Sequence, residues 1–371
     1  MRFPSALRLI ALSGAGLLLG ACSSSVGQTS DPPKLDPVVP TYSVTVIPPT
    51  YHLGVALAGE AYAIAINDSG TVVGALSIDP AGAQMPYVWT PSGGIQMITL
   101  PAGTMGGAGS ISAAGVIVGS YRAGGVGSPN HGFRVAPESL VAADIGLPAG
   151  ASSLETVVLA DSGRILVKAT LPVPDSTLIS ESVFGLTGTA FANLGLEDLN
   201  YVYLIGKSDY AYGHGLKIKG TTISITSKWV WNGTSTTILP DTFYDKIKYG
   251  VAGGLGIGPQ GQILAVLKDN SNAALLFPNG TIQDLGFYGS PMAMNASGVV
   301  VGNDGDNNAL YYSAATGAVN LNSRIASTLS LKLTTASAIS ASGTILCAGV
   351  YTGKPNPYGS AKLALVLTPN P

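Results

Sequence analysis

Short apolar runs alternate with small polar turns along most of the chain. Residues 63–74 read AIAINDSGTVVG, in which two apolar runs flank the turn Asn67-Asp68-Ser69-Gly70. Asn can close a turn on its own backbone, and Gly adopts the left-handed conformation that ends a tight hairpin turn. The flanking residues favour strands. This segment therefore predicts one β-hairpin.

The hairpin pattern recurs, which makes it one member of a repeat. Further copies lie at 110–120, 158–169, 256–267, 293–303 and 338–349, and a second hairpin with an aromatic strand occurs at 87–100, 229–239, 275–286 and 310–321. The turn glycines are separated by 45, 48, 98, 37 and 45 residues; they are Gly70, Gly115, Gly163, Gly261, Gly298 and Gly343. We interpret the interval of 98 as two periods, with a divergent copy near 209–220.

Two hairpins supply four strands, and a period near 45 residues is typical of propeller blades. The sequence predicts an all-β fold over residues 41–371: a seven-bladed β-propeller with four-stranded blades. The last unit supplies only three strands, and 41–47 is a spare strand, so this N-terminal strand is expected to complete the last blade. Six or eight blades stay open because the fourth unit is weak. An open two-sheet sandwich is less favoured, since it gives no reason for a regular period.

The repeat resembles the HAF-type extracellular repeat family of bacteria, whose units read A-x-x-I-N-x-x-G-x-V-V-G followed by an aromatic strand opened by His-Ala-Phe. Residues 63–74 match the first part, and HGFRV at 131–135 matches the second with Gly132 in place of Ala. Other units lack the His. The resemblance implies an exported repeat protein and implies no reaction.

The first residues predict export. Residues 1–21 carry Arg2 and Arg8 followed by a short apolar run, which is typical of a signal peptide. Residues 19–22, LGAC, resemble the bacterial lipobox, which implies cleavage before Cys22 and diacylglycerol on its thiol. Ser23 resembles an outer-membrane sorting signal. Residues 22–40 contain the lipidated Cys and a Pro-rich, disordered tether. We therefore expect an outer-membrane lipoprotein, a monomer on the periplasmic or the exposed side.

Composition and motifs exclude several classes of function. The formal net charge of −2 does not favour nucleic acid. The three histidines have no metal spacing, so we expect no metal and no cofactor. GIGPQG at 256–261 fits the dinucleotide pattern but aligns with the hairpin turn. NDGDNNA at 303–309 begins like a calcium loop, but Ala309 stands where Gly is needed. Cys347 is expected to be a small buried residue.

One region stands out, because residues 201–250 are rich in tyrosine, tryptophan and basic residues. Aromatic faces beside cationic donors suit sugar or peptide ligands. We therefore take Tyr210, Tyr212, His214 and Lys217 as a candidate ligand site for a carbohydrate or protein partner. The alternative is a drifted blade with aromatic core strands.

The function that follows is binding: an exported scaffold held to the membrane through Cys22, with no catalytic residues assigned. The rival interpretation is an exported propeller enzyme, a lyase or hydrolase acting on cell-wall or extracellular polymers. Convergent carboxylates or a metal at the central channel would favour that rival. A passive surface or assembly component is a third class, and it would show no pocket.

Overall fold

The computed structural model describes residues 39–48, 61–77, 83–101, 105–122, 124, 128–173, 179–194, 200–206, 208–219, 222–240, 246–247, 256–356 and 362–371. The predicted signal peptide, Cys22 and nearly all of the tether lie outside these residues. Within them, strands β1 to β26 form six antiparallel sheets.

Each of the first four sheets is a meander of four consecutive strands. Sheet 1 comprises β2 (Ala61–Ile66), β3 (Val72–Ser77), β4 (Gln84–Thr90) and β5 (Gly94–Met97). Sheet 2 comprises β6 (Met105–Ile111), β7 (Ile117–Arg122), β8 (Asn130–Val135) and β9 (Ala142–Gly146). Sheet 3 comprises β10 (Ser153–Leu159), β11 (Ile165–Pro172), β12 (Ile179–Thr187) and β13 (Ala190–Asn193). Sheet 4 comprises β14 (Asn200–Ile205), β15 (Ala211–Lys219), β16 (Thr222–Trp231) and β17 (Thr236–Leu239). The divergent copy expected near 209–220 is thus a sheet of the same kind.

Sheet 5 has six strands and sheet 6 has four. Sheet 5 comprises β18 (Ile263–Val266), β19 (Asn272–Leu276), β20 (Ile282–Met294), β21 (Val300–Asp304), β22 (Ala309–Ser313) and β23 (Gly317–Asn320). Sheet 6 comprises β24 (Leu331–Ile339), β25 (Ile345–Tyr351), β26 (Leu363–Pro369) and β1 (Tyr42–Ile47). Two 3-10 turns, Leu321–Arg324 and Ser327–Leu329, connect the two sheets.

The sheets follow one another around a ring. Strands of sheet 1 contact β6 of sheet 2, strands of sheet 2 contact β10, strands of sheet 3 contact β14, strands of sheet 5 contact β24, and β2 contacts three strands of sheet 6. An apolar core joins sheets 4 and 5. A sheet with two apolar faces is buried only when neighbours cover both, and the ring supplies those neighbours.

The N-terminal strand closes the ring, as the sequence predicted. β1 pairs antiparallel with β26 over six residue pairs, from Tyr42 opposite Pro369 to Ile47 opposite Ala364. Beyond the strand, the Asn370 amide donates to the Thr41 carbonyl at 2.9 Å. Ile47 is 1 % exposed and belongs to the apolar core between sheets 6 and 1. The first and last strands are therefore held together by pairing and by burial.

The prediction of a seven-bladed propeller is wrong in the number of blades, because the described residues form six sheets. The reason is β20, a 13-residue strand whose two halves have different partners. Its first residues pair with β19, and residues Gly289 to Met294 pair with β21. The interval between turn glycines Gly261 and Gly298 is 37 residues, the shortest in the repeat. The backbone here runs from one hairpin to the next as a single strand.

The second glycine of the repeat has a packing role. The strand that precedes a central hairpin turn carries a β-bulge, for example between Ala63 and Ala65 on β2. The extra residue of the bulge brings its backbone close to the paired strand. A Cβ on Gly74 would overlap the Tyr62 carbonyl, and one on Gly302 would overlap the carbonyl of Ser290. Glycine at the end of the V-V-G motif therefore accommodates the bulge.

A buried ion pair fastens sheet 3 to sheet 4. Lys168 Nζ lies 3.0 Å from Glu181 Oε1, and Glu181 is 5 % exposed. The other carboxylate oxygen accepts the Val202 amide of β14 at 2.8 Å, and the lysine donates to the Val202 carbonyl at 3.3 Å. These hydrogen bonds offset the desolvation of two charges.

Candidate functional site

Seven turns of one geometry recur among the described residues: six connect two consecutive strands, and the seventh, at 258–262, directly precedes β18. In the first, the Asn67 amide donates to the Thr71 carbonyl and the Gly70 amide donates to Asn67, both at 3.1 Å. The first of these two bonds recurs at 112–116, 160–164, 206–210, 258–262, 295–299 and 340–344. We call these seven segments the central turns.

The fourth residue of every central turn has a positive φ. It is the repeat glycine in six of them, with φ between 77° at Gly70 and 84° at Gly163. In the divergent turn the position is Asp209, with φ 59°. Asp tolerates the left-handed region better than most residues with a Cβ. The glycine recurrence in the sequence thus reflects a backbone requirement.

Polar first residues stabilise the central turns and link them. The Asn67 side-chain oxygen accepts the Thr71 amide at 3.0 Å, and its amide nitrogen donates to the Ser112 carbonyl of the next turn at 3.1 Å. Asn295 makes the same pair of bonds, reaching the Ser340 carbonyl at 3.2 Å. Two other links are Ser208 Oγ to the Gly258 carbonyl at 2.9 Å and the Ser342 amide to Asp68 Oδ1 at 3.1 Å. The last link joins sheet 6 to sheet 1.

The central turns surround a cavity of about 960 Å³ that is open to solvent. Its apolar part includes the residue just before each of six turns: Ile66, Ile111, Leu159, Ile257, Met294 and Ile339. Small turn residues form the rim. The described lining residues include no aromatic residue, histidine or cysteine, and their charged members are Asp68, Asp161, Arg134 and Arg164. The volume is within the range of ligand pockets, about 300–1,000 Å³.

The cavity extends outward between sheets 2 and 3. This extension, which we call the 2–3 cleft, is lined by Val116 and Ile145 on sheet 2, by Ile165 and Leu186 on sheet 3, and by Arg134 on β8. Arg134 is exposed. Arg134 was not among the predicted site residues, although HGFRV has an arginine where the other aromatic strands carry valine, leucine or tyrosine.

The predicted site residues lie elsewhere. Tyr212 is fully buried in the apolar core between sheets 4 and 5, and Tyr210 is half-buried and packs against the same core. His214 is 6 % exposed. Burial, and then the charge of Lys228, lower the pKa of His214. This is not the exposed loop patch that the hypothesis required.

Three of these four residues lie on strand β15 rather than in a loop: Tyr212, His214 and Lys217. The side chain of Lys217 is outside the described part of the structure. Tyr210, Tyr212 and His214 are not among the described lining residues of the central cavity. The drifted-blade interpretation, with aromatic rings between the sheets, accounts for the buried tyrosine and histidine.

His131 belongs to a small polar cluster on sheet 2. Its ring lies 5.6 Å from that of Tyr121, and its Nδ1 is 3.6 Å from Asp144 Oδ2. Burial, together with the charge and hydrogen bond of Asp144, raises the pKa of Tyr121. Neither His131 nor Tyr121 lines the central cavity. This cluster ties adjacent strands of one sheet together.

The motifs that resembled known sites are turns. GIGPQG at 256–261 contains the fifth central turn, in which the Gly258 amide donates to the Gln262 carbonyl at 2.7 Å. In the calcium-like segment, Asp304 Oδ1 accepts the amides of Asp306 and Asn308, so its carboxylate closes a hairpin. No group of three metal-ligating side chains occurs in the described residues.

Cys347 is 2 % exposed, and burial raises the pKa of its thiol, which confirms the expectation of a small buried residue. In the part of the chain that the structure describes, no helix has the length and apolarity needed to span a bilayer.

Antiparallel sheets arranged as a closed ring around a central cavity define a β-propeller. YCF48 bound to D1 peptide is similar, with a TM-score of 0.51 and 13 % identity, over 89 % of this chain and 97 % of that one. Oligogalacturonate lyase from Vibrio parahaemolyticus has a TM-score of 0.49 and 10 % identity, over 88 % and 97 %. A polysaccharide lyase, ulvan lyase, has a TM-score of 0.43 and 13 % identity, over 89 % and 94 %.

The likeness to YCF48 supports the fold alone, and the TM-scores of the two lyases are too low to carry an argument. No protein-family model matches the chain. No curated protein matches it either.

Proposed function

We propose that this protein is an exported β-propeller that binds a ligand at the cavity enclosed by its central turns. The observation that carries the proposal is the cavity itself: about 960 Å³, with aliphatic residues below a rim of small turn residues. Turns cross-linked by side chains form a rigid frame, and rigid frames present ligand sites at low entropic cost. A propeller of similar fold is bound to a peptide, so this architecture can hold one.

The residue types at the cavity favour binding over catalysis. Acyl or glycosyl transfer needs a nucleophile or a pair of titratable groups within reach of the reacting bond. Among the described lining residues, the acidic groups are Asp68 and Asp161. Asp68 already accepts the Ser342 amide at the closure of the ring. Its carboxylate has a structural role that accounts for its presence.

The binding proposal is tested by closing the cavity. Ala296 and Ala341 line the rim, so Ala296→Trp and Ala341→Trp should occlude it, whereas Ala315→Trp in an exposed turn of sheet 5 is the matched control. Thermal shift and calorimetry are run against panels of peptides, oligosaccharides and fatty acids. We expect one class to bind the wild type and the control, and to lose binding in both rim variants. Binding that survives rim closure would refute this site.

A second candidate function is that of an enzyme acting on cell-wall or extracellular polymers. The observation that favours it is the presence of two carboxylates, Asp68 and Asp161, in one cavity. Two positioned carboxylates are the usual machinery of glycoside hydrolysis. The wild type, Asp68→Asn and Asp161→Asn are incubated with polysaccharide panels, and new reducing ends and unsaturated products are measured. Product formation lost in both variants would establish the enzyme and displace the binding protein.

Export and lipidation are proposed from the sequence alone. The lipobox resemblance around Cys22 supports a diacylglycerol anchor, and Ser23 supports the outer membrane. The tether at 22–40 supports a propeller held clear of the lipid. Metabolic labelling with a fatty acid and membrane fractionation test this, because Cys22→Ala should lose the label and release the protein from membranes. A variant that fractionates with membranes as before would show that lipid is not the anchor.

We further propose that the ring comprises seven repeat units in six sheets, as a monomer. The support is the set of seven central turns, two of which, at 258–262 and 295–299, adjoin strands of sheet 5. In this view sheet 5 contains two units that share strand β20. Limited deletion of one unit should then unfold the ring, and sedimentation of the intact protein should give one chain per particle.

A further inference from the structure

Arg134 places a charge at a position where the other six repeat units carry uncharged residues. The position of Arg134 can be compared between repeat units by strand pairing. In each unit, the sixth residue after the first residue of the central turn pairs with a residue of the following strand, and that following strand opens the second hairpin. In the two remaining units outside sheet 2 the partner is Gly185, which is buried, or Tyr311, which is half-buried. In the other four units it is buried and aliphatic: Val88, Val230, Leu275 and Val366. In sheet 2 the pair is Val118 opposite Arg134, and Arg134 is exposed.

The arginine therefore stands where the repeat places an apolar contact between neighbouring sheets. Side chains alternate along a strand, and Phe133 and Val135 on either side of it are fully buried in the core between sheets 1 and 2. Arg134 consequently lies on the other face, toward sheet 3. A long charged side chain at this position leaves the 2–3 cleft open instead of filling it. Departures from a local pattern without structural gain are characteristic of functional positions.

The charge of Arg134 is available for a ligand. Within the described residues, Arg134 makes no hydrogen bond or ion pair, whereas Arg164 donates to the Gly233 carbonyl at 3.4 Å. Both acidic lining residues are engaged: Asp68 with the Ser342 amide, and Asp161 with a further partner in the fold. An unpaired guanidinium beside aliphatic walls suits a carboxylate that carries an apolar group next to it.

We propose that the 2–3 cleft binds an extended acidic peptide, with a carboxylate on Arg134 and neighbouring aliphatic side chains on Ile145, Ile165 and Leu186. This inference rests on the proposed binding function and names its ligand class. No aromatic residue is among the described lining residues, so the stacking surface that sugars use is not part of this cleft. Serine hydroxyls and turn backbone at the rim can bond peptide groups. One unpaired arginine among the described lining residues, in a chain of net charge −2, does not favour nucleic acid.

The experiment uses pools of short random peptides made from Leu, Ile, Ser and Gly with either Glu, Gln or Lys, and measures binding to the purified protein by fluorescence anisotropy. We expect the Glu pool to bind the wild type about tenfold more tightly than the Gln pool, since one charge-assisted hydrogen bond is lost. Arg134→Gln should remove that preference and leave the Gln pool unchanged. Lys332→Gln, which removes an exposed positive charge on sheet 6, is the control and should keep the preference.

Two further variants separate binding from folding. Arg134→Val introduces the aliphatic residue type found in four other units, so its melting temperature should equal or exceed that of the wild type while the preference for the Glu pool is lost. Arg134→Glu should reverse the preference toward the Lys pool. Equal binding of the Glu and Gln pools by the wild type, or a Glu preference that survives Arg134→Gln, would overturn the inference. Binding of oligosaccharides that is lost in the Ala296→Trp and Ala341→Trp variants would also overturn the peptide inference. That result would leave the proposed binding function intact.

Discussion

Ring closure by the N-terminal strand is open to a sharp test at Ile47. This residue is 1 % exposed and shares an apolar core with Ile66, Trp89 and Val366, which belong to sheets 1 and 6. Truncation to Ala removes buried carbon atoms and leaves a cavity that the two sheets cannot fully collapse. Ile47→Ala should therefore lower the free energy of unfolding by about 2–5 kcal/mol. Domains have total stabilities of about 5–15 kcal/mol, so this is a large share.

The assay is equilibrium unfolding in urea, followed by tryptophan fluorescence, because Trp89 lies in the same core. Thr45→Ala is the matched control: it is on the same strand, but its side chain is exposed. We expect the control to change the free energy of unfolding by no more than about 0.5 kcal/mol. Deleting residues 41–47 should destabilise more than Ile47→Ala, since six backbone pairs with β26 are lost as well.

The reasoning fails if Ile47→Ala and Thr45→Ala unfold at the same urea concentration. It also fails if the deletion variant keeps the wild-type melting temperature, because the edge of sheet 6 would then be stable without β1. A change in the slope of the transition would point instead to a partly unfolded native state.

Three further predictions concern other parts of the ring. Glu181→Gln should lower the free energy of unfolding by about 3–5 kcal/mol, since it leaves the largely buried Lys168 without its counter-charge; an unchanged midpoint in urea titration would contradict this. Gly298→Ala should cost about 1–2 kcal/mol because φ there is 79°, whereas Gly109→Ala, with ordinary contacts, should change little by the same assay. The pKa of His214 is lowered from 6.5, so the unfolded chain takes up a proton first and stability should fall as the pH drops below 6.5. His214→Gln should flatten that part of the stability–pH curve, and an unchanged curve would refute the assignment.

The sequence predicted the ring because its signal is local and repeated. Gly70 and Gly298 recur since a left-handed residue closes each central turn, and Asn67 and Asn295 recur since one side chain both caps a turn and reaches the next. The strand 41–47 could be assigned because the last unit lacked one. The number of sheets could not, since whether β20 continues or breaks depends on pairing across the sheet rather than on composition.

The candidate site was harder to predict because composition does not report exposure. Tyr212 and His214 lie on alternate positions of β15 and are buried, although tyrosine and histidine are common in ligand sites. Arg134 is a single residue in a segment that matched the repeat. That it is a charged residue at an otherwise uncharged position is seen only when the paired positions of all units are compared. The cavity depends on how the turns meet around the ring, which no single segment encodes.

Strand β20 also has a consequence for how the molecule opens. Elsewhere in the described ring, neighbouring sheets contact each other through side chains, turns and, between Thr99 and Val141, one isolated backbone bridge, so one sheet can loosen while the next persists. Residues 282–294 carry backbone hydrogen bonds to β19 and β21 in one uninterrupted strand. If β20 loses its pairing with β19, its pairing with β21 is weakened as well, and the reverse also holds. In native-state hydrogen exchange, the amides of β18 to β23 should consequently exchange together as a single cooperative block, the largest in the ring.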